Sequence, residues 1–446
     1  MWLKSLKQLQ HDSQPYPIIL LPLQLEKKIT LMKFTSILFL SFIVIAFGCK
    51  TVKPSVVKAY NITNVKQDVE ILSHDDMEGR ETGTAGEKKA AAYIADRMKN
   101  IGLFPGGTSD GYVQSFNKTI RSNPHADGPS PDDEKVNGLN VLGLIDNNAD
   151  YTAVIGAHYD HLGYGGEGSL YVGDPAIHNG ADDNASGVAG MLRIAEYLQA
   201  QSDSSLNYLF IAFSGEEKGL WGSNYFTKHP TVPLKEVNYM INMDMIGRLN
   251  ADKQLAIYGT GTTPSWDQVL KLESGQSFRV KEERSGVGPT DHTSFYLEDI
   301  PVLQFFTGQH SDYHKPTDDA HLINYDGIVD ITDYIIDIIE YTQGRGKLTF
   351  QKTNDESAET PDFKVTLGVI PDYLFDGKGM RIDGVRDDRP AYNANLKKGD
   401  IIRKMGEMEI VDMMTYMKAL GAHEKGQTID ITIIRDGKES TRKLTF

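Results

Sequence analysis

Along most of this chain, apolar runs too short to be helices alternate with longer segments in which apolar residues recur every three or four positions. The short runs read as strands: LNVLGLI from Leu139, YTAVIGAHYD from Tyr151, NYLFIAFSGEE from Asn207, NYMINMDMIG from Asn238, QLAIYG from Gln254 and PVLQFF from Pro301. The helical period appears in EKKAAAYIADRMKNIG, which places Ala91, Ile94, Ala95, Met98 and Ile101 on one face ahead of a capping Gly102. It returns from about Ala185 to Ala200, near Trp221 to Lys228, after Pro264, and from Tyr325 to Thr342. The strands are apolar on both faces, as they are when helices cover both sides of a sheet. The pattern therefore predicts an α/β fold over residues 61–344, with a mostly parallel mixed sheet covered by helices on both faces.

Polar stretches punctuate this block. RSNPHADGPSPDDEKVNG, residues 121–138, reads as an exposed loop too short to be an inserted domain. After Gly344 a charged, apolar-poor stretch reads as a linker over 345–361. Residues 362–446 then change character to a small β-rich module with two helices, one near Asp412 to Leu420, and Asp436-Gly437 signals a type I′ hairpin between its last two strands.

Composition narrows the function. The formal charge of -15 repels phosphate backbones, and no Lys/Arg run with interleaved aromatics offsets it, so nucleic acid is set aside. The single cysteine, Cys49, excludes internal disulfides and cysteine-rich metal clusters. It closes MKFTSILFLSFIVIAFGCK, a basic residue and an apolar run ending in Ala46-Phe47-Gly48-Cys49. The run is shorter than the roughly 20 residues a membrane span needs. It looks like a secretory signal with a lipobox, an uncleaved anchor and a buried helix being the other readings. Residues 1–49 are then a signal region whose true start is Met32, Cys49 is the lipidation site, and residues 50–60 form a tether. The expected location is the bacterial cell envelope, on a lipid anchor.

Chemistry-bearing residues sit at the ends of the predicted strands, where open α/β sheets place their ligand sites. VIGAHYDH ends with His158 and Asp160, HNGADDNASG carries Asp182 and Asp183 into a helix, FIAFSGEEKG ends with Glu216 and Glu217, and SDYHKPTDD supplies His314. Asp244 in NMDM follows a buried strand, where a carboxylate is costly unless something positive compensates it. Imidazoles and carboxylates without thiolate suit zinc, or by availability cobalt or manganese, better than calcium or magnesium. Three ligand carboxylates and a hydroxide carry four negative charges, which two divalent cations match and one does not. The pattern Gly-Thr-Ser-Asp-Gly at Gly107 follows no strand, which sets a serine hydrolase aside.

GAHYDH, NGADDNASG, SGEEKGLWGS, NMDMIGR and SDYHKPTDD, in this order and spacing, resemble the co-catalytic di-zinc aminopeptidase family of bacterial leucyl aminopeptidases, related to glutamate carboxypeptidase II. The resemblance covers about Asn61 to Gly344. It implies two zinc ions per chain, one held by His158 and Asp244, the other by Glu217 and His314, with Asp183 bridging because the family's bridging residue directly precedes the position of Asn184. Asp182 is then a loop-ordering or capping group. The resemblance also implies Glu216 as general base toward a water between the metals, Asp160 as the carboxylate that orients His158, and Tyr313 as the group steadying the tetrahedral intermediate, packing beside His314 being its alternative. Asp291 and His292 in GPTDHTSFYLEDIP take a supporting role, and the Gly-rich stretch from His161 to Gly180 is a cleft wall or a passive loop. Removal of N-terminal residues from peptides rests on this resemblance alone.

The tail resembles a bacterial PDZ domain, TLGVIPDY standing for its carboxylate-binding loop, which implies a peptide or protein ligand beside the peptide substrates. Pro371 there lacks the N–H that a carboxylate nest uses. Two rivals remain: a mono-zinc glutaminyl cyclase of the same fold, and a non-catalytic scaffold working through the PDZ-like domain.

Overall fold

The computed structural model describes residues 54–446 except 121–129, 132, 167, 202–203, 354–364, 373–374, 376, 386–388 and 412. Met32, Cys49 and the signal region lie outside the described residues, as do residues 354–361 of the linker. No helix among the described residues is long and apolar enough to cross a membrane.

Strand β4 (Thr152–His158) is buried along its whole length, and its side chains alternate between two cores. Ala153, Ile155 and Ala157 join one cluster while Val154 joins the other, as the two-residue period of a strand requires. The first core is covered by helices α1 (Pro54–Leu72), α2 (Ala85–Ile101), α3 (Gly187–Gln199) and α7 (Tyr325–Thr342), through Val69, Ile94, Met191, Ile331 and Ile335 among others. The second lies under α4 (Trp221–Lys228) and α6 (His292–Tyr296), through Phe226 and Phe295, whose rings stack 5.7 Å apart. The remaining short helix of the block is α5 (Trp266–Val269).

The strands of this block are β1 (Phe104–Pro105), β2 (Val113–Ile120), β3 (Glu134–Ile145), β4, β5 (Asn207–Phe213), β6 (Val237–Met243), β7 (Gln254–Tyr258), β8 (Arg279–Glu283) and β9 (Val302–Phe306). Their order in the sheet is β1-β3-β5-β4-β6-β9-β7-β8, with β2 also on β3. The centre, β5-β4-β6-β9, is parallel, and antiparallel pairs join β3 to β5 and β7 to β9. The mixed, helix-covered sheet expected from the apolar pattern is thus present.

Three sequence expectations need correction. Glu134–Gly138, read as the end of an exposed loop, extend β3 and pair with Phe116–Ile120 of β2. This ribbon is solvated, so it carries neither alternation nor an apolar run to betray it. For the same reason β2 went unread. The helix predicted from Ala185 begins as an irregular turn at Ala181–Ser186 and becomes regular at Gly187. Helix α1 starts at Pro54, inside the stretch read as a tether.

The C-terminal module has β10 (Val369–Pro371), β11 (Met380–Val385), β12 (Ile401–Met405), β13 (Met408–Glu409), β14 (Thr428–Arg435) and β15 (Lys438–Thr445), with α8 (Pro390–Asn393) and α9 (Met413–Gly421). Its antiparallel sheet closes its own core around Leu367, Ile402, Ile431, Ile433 and Leu444. Asp436 and Gly437 have φ of 51° and 73°, the pair of positive values a type I′ turn demands, and Arg435 faces Lys438 across it.

Candidate active site

The four parallel strands end along one edge, and each end delivers a polar side chain to the same place. Strand β4 finishes on His158, β6 is followed at once by Asp244, and the loop after β9 carries His314. Beyond β5 the chain breaks at Gly215, with φ of 74°, which turns Glu216 and Glu217 toward one site instead of opposite faces. Asp183 comes from the irregular turn before α3. There Asn184 clamps two segments, its Oδ1 accepting from the N–H groups of Gly187 (3.0 Å) and Met245 (3.1 Å) and its Nδ2 donating to the Met243 carbonyl (3.0 Å). Gly187 has to be glycine: a Cβ there would lie 2.5 Å from the Met243 oxygen.

Asp183 stands between two groups. Its Oδ1 is 3.3 Å from His158 Nε2, which is also 3.3 Å from Asp244 Oδ1. Its Oδ2 is 3.2 Å from His314 Nε2, which is also 3.2 Å from Glu217 Oε2. Zinc bonds to N and O of about 2.0–2.1 Å in tetrahedral geometry put neighbouring donor atoms about 3.3 Å apart. Charge-assisted hydrogen bonds run shorter, near 2.7–2.9 Å. The spacings and the N/O donor set therefore fit a metal on each side of Asp183. The grouping of His158, Asp183 and Asp244 within 4.8 Å, and of Asp183 and Glu217 with a further histidine, His161, agrees with this.

The electrostatics of the cluster call for positive charge. Burial alone would raise Asp183, but hydrogen bonds from His158 and His314 hold it well below the usual carboxylate range. Glu217 is held at about 2, burial being outweighed first by the His314 imidazole. Burial and neighbouring carboxylates push Glu216 well up, and burial raises Asp244 as well. His158 and His314 are raised well above the usual imidazole value, because the carboxylates facing them overcome the effect of burial. These groups would give up their protons on holding a divalent metal.

Glu216 belongs to neither donor group. Its Oε2 is 4.0 Å from His158 Nε2, and its backbone N–H donates to Asp160 Oδ1 at 3.1 Å. The Asp160 carboxylate also accepts from Thr82 Oγ1 at 3.2 Å but stays 3.7 Å from His158 Nδ1, which lies nearer the Asp160 carbonyl at 3.2 Å. Asp160 thus steadies His158 through its main chain, and its carboxylate anchors the backbone of Glu216. Tyr313 stacks on the His314 ring, centroids 3.8 Å apart, and lines the cleft. That cleft opens over the cluster between the apolar walls of Met245, Tyr258, Pro289 and Phe306.

The Gly-rich stretch from His161 to Gly180 is no passive loop. The Gly168 carbonyl accepts from His314 Nδ1 at 2.8 Å, which leaves Nε2 as the donor atom toward the cluster, and Leu170 N–H donates to the His314 carbonyl at 2.9 Å. Asp182 has the ordering role expected of it: Oδ1 accepts from Gly247 N–H and Ser186 Oγ, and Oδ2 lies 3.1 Å from His310 Nε2.

Several residues of the site were not singled out in the sequence. Asp318 Oδ2 accepts the backbone N–H groups of Asp182 (2.9 Å) and Asp183 (3.0 Å). Its place in the SDYHKPTDD motif was the available signal. Arg80 is fully buried and donates to the carbonyls of Leu72 (2.5 Å), Tyr159 (2.7 Å), Asn179 (2.6 Å) and Gly180 (2.9 Å). Only folding brings those four carbonyls together. His161, three residues after His158, donates from Nδ1 to Glu217 Oε1 at 2.8 Å.

Asp291 and His292 sit beside the cluster, both fully buried. Burial depresses the His292 imidazole to about 3, so it lines the cleft as a neutral ring. Burial pushes the Asp291 carboxyl up to about 7, against the pull of His158 and Ser223. An acid whose folded pKa lies above its unfolded value near 3.9 contributes stability fully present below pH 4 and lost as pH rises through 7. In chelator-treated protein, Asp291→Asn is therefore expected to stabilise, by an amount that grows from pH 5 to pH 7, levels off above, and reaches at most roughly 4 kcal/mol. Urea unfolding at pH 5 and pH 8 checks this; an equal effect at both pH values would contradict it.

Residues 140–339 match peptidase family M28, and residues 348–445 match the PDZ domain. A protein of Escherichia coli K12 described as uncharacterized, YfbL, is 26% identical over 42% of this chain and 65% of its own length. A probable leucine aminopeptidase of Arthroderma otae is 29% identical over 54% of this chain and 60% of its own length. The chain thus spans less than two thirds of each of these relatives. The crystal structure of BSAP, a zinc aminopeptidase from Bacillus subtilis, superposes with a TM-score of 0.50 at 18% identity, covering 66% of this chain and 98% of that one, which establishes likeness of fold. By these matches the chain carries a peptidase family M28 domain over residues 140–339 and a C-terminal PDZ domain over residues 348–445.

Proposed function

We propose that this chain is a two-zinc aminopeptidase that hydrolyses N-terminal residues from peptides. The observation that carries the reading is Asp183, whose two oxygens face two separate His–carboxylate groups at 3.2–3.3 Å. His158 and Asp244 would hold one ion, Glu217 and His314 the other, with Asp183 shared. Zinc bound there would polarise the scissile carbonyl and acidify a water. Glu216, outside both donor sets, takes the proton from the attacking water on its carboxylate and passes it to the leaving amine nitrogen. Its high proton affinity, set by burial and the carboxylates around it, suits both steps. Tyr313 is assigned the oxygen of the tetrahedral intermediate, held in place by its stacking on His314. The presence of both donor groups favours this reading over a mono-zinc glutaminyl cyclase or a metal-free scaffold.

The reading extends to location and partners. Cys49 is assigned a lipid anchor that holds the enzyme in the cell envelope, on the strength of the apolar run and the residues before the cysteine. The PDZ domain is assigned an extended peptide ligand added at a sheet edge. Strand β10 is an edge strand, which supports this, although Pro371 offers no N–H to a partner.

Elemental analysis should find two zinc per chain. Aminoacyl chromogenic amides with a free amine should be cleaved and their N-acetylated counterparts left intact. Equal cleavage of both would remove the aminopeptidase specificity, and a single zinc would revive the glutaminyl cyclase reading.

A further inference from the structure

His161 invites two readings. Its imidazole lies within 4.8 Å of donor atoms of Asp183 and Glu217, so it can be counted among the metal donors. The individual distances separate the alternatives. Nδ1 is 2.8 Å from Glu217 Oε1 and 3.9 Å from Asp183 Oδ2. The first is shorter than the edge of about 3.3 Å between two donors on one zinc, and the second is longer. The first is instead an ordinary charge-assisted hydrogen bond. Glu217 uses the two ends of its carboxylate differently, with Oε1 toward His161 and Oε2 toward His314 at 3.2 Å.

We infer that His161 is a positioning residue: it holds Glu217 Oε1 so that Oε2 is presented to the position shared with Asp183 and His314. This rests on the two-zinc reading above and adds a residue to it. The setting favours a fixed ring. The His161 side chain is fully buried and its backbone N–H donates to the Arg80 carbonyl at 3.4 Å. The ring lies against Gly180, where a Cβ would come within 2.6 Å of its Cγ and Cδ2. It also meets His314 edge-on, centroids 5.7 Å apart. Nε2 has no hydrogen-bond partner among the described residues, so the contact with Glu217 is the polar contact of this side chain among them. A carboxylate free to rotate about its last torsion would point its lone pairs at the ion only part of the time. Fixing one oxygen removes that freedom, as outer partners of metal ligands do.

The test measures zinc affinity by competition with graded chelators on the full chain, for wild type, His161→Asn and His161→Leu. Asparagine can offer an N–H where Nδ1 stands, and leucine cannot. His161→Leu is expected to bind one of the two zinc ions about 10- to 100-fold less tightly, with the other unchanged, and His161→Asn to restore most of that loss. Wild-type affinity for both ions in His161→Leu overturns the inference. X-ray absorption on the zinc-loaded wild type needs no variant to fold: it should count one imidazole per ion, and three imidazoles over two ions would make His161 a ligand and refute the positioning role. A wild type that takes up one zinc or none fails earlier, at the two-zinc reading, and removes the role of His161 with it.

Discussion

Glu216→Gln should keep its full complement of zinc and lose about three to four orders of magnitude in kcat, the upper range for loss of a general base. The side chain keeps its volume, so the cleft that Glu216 lines changes little. Its carboxylate lies outside both donor groups, so metal binding should hardly respond. The amide, however, cannot accept a proton from water. The backbone of residue 216 is fixed independently of the side chain, by Gly215 and by the Asp160 carboxylate, so the variant should not shift the neighbouring Glu217. Steady-state kinetics paired with elemental analysis checks this. Loss of zinc would place Glu216 among the ligands, and retained turnover would move the base elsewhere.

The second large effect is on folding. Arg80→Leu should abolish soluble, folded protein, or lower its stability by more than about 4 kcal/mol. Four carbonyls receive the guanidinium, and each buried acceptor left without a donor costs about 1–3 kcal/mol. The sum approaches the 5–15 kcal/mol by which whole proteins are stable. Burial lowers the guanidinium to about 10, with Asp183, Asp160 and Asp318 opposing the shift, so it remains a cation behind an acidic site. Arg80→Lys keeps the charge but not the planar fork that reaches several acceptors, and should recover only part of the loss. Thermal unfolding of the two variants decides; an Arg80→Leu melting point within a degree or two of wild type would contradict the structural role.

Much of the site was legible because its parts are local anomalies. Asp244 stands out as a charge after a buried strand, His158 as an imidazole at the end of another, and Gly215 as a break before two glutamates. The structure brings His158, Asp160, Asp183, Glu216, Glu217, Asp244, Tyr313 and His314 together. Contacts between segments distant in sequence were not legible. Nothing near Glu217 announces that His161 will meet it, and Arg80 looks like any arginine after a glycine until its four carbonyls converge. The β2–β3 ribbon escaped for a different reason: polar on its exposed length, it lacks the periodicity by which strands are recognised, and only its pairing defines it.

The position of Arg80 also bears on how much of the chain makes a working unit. The M28 match begins at residue 140, and all five proposed zinc donors lie inside it. The arginine that ties the turn before Asp183 to the end of β4 lies well upstream, as do Thr82, which holds the Asp160 carboxylate, and the Leu72 carbonyl at the end of α1. A fragment trimmed to the matched block would contain every donor but lose Arg80 and Thr82, the part of their frame that lies upstream.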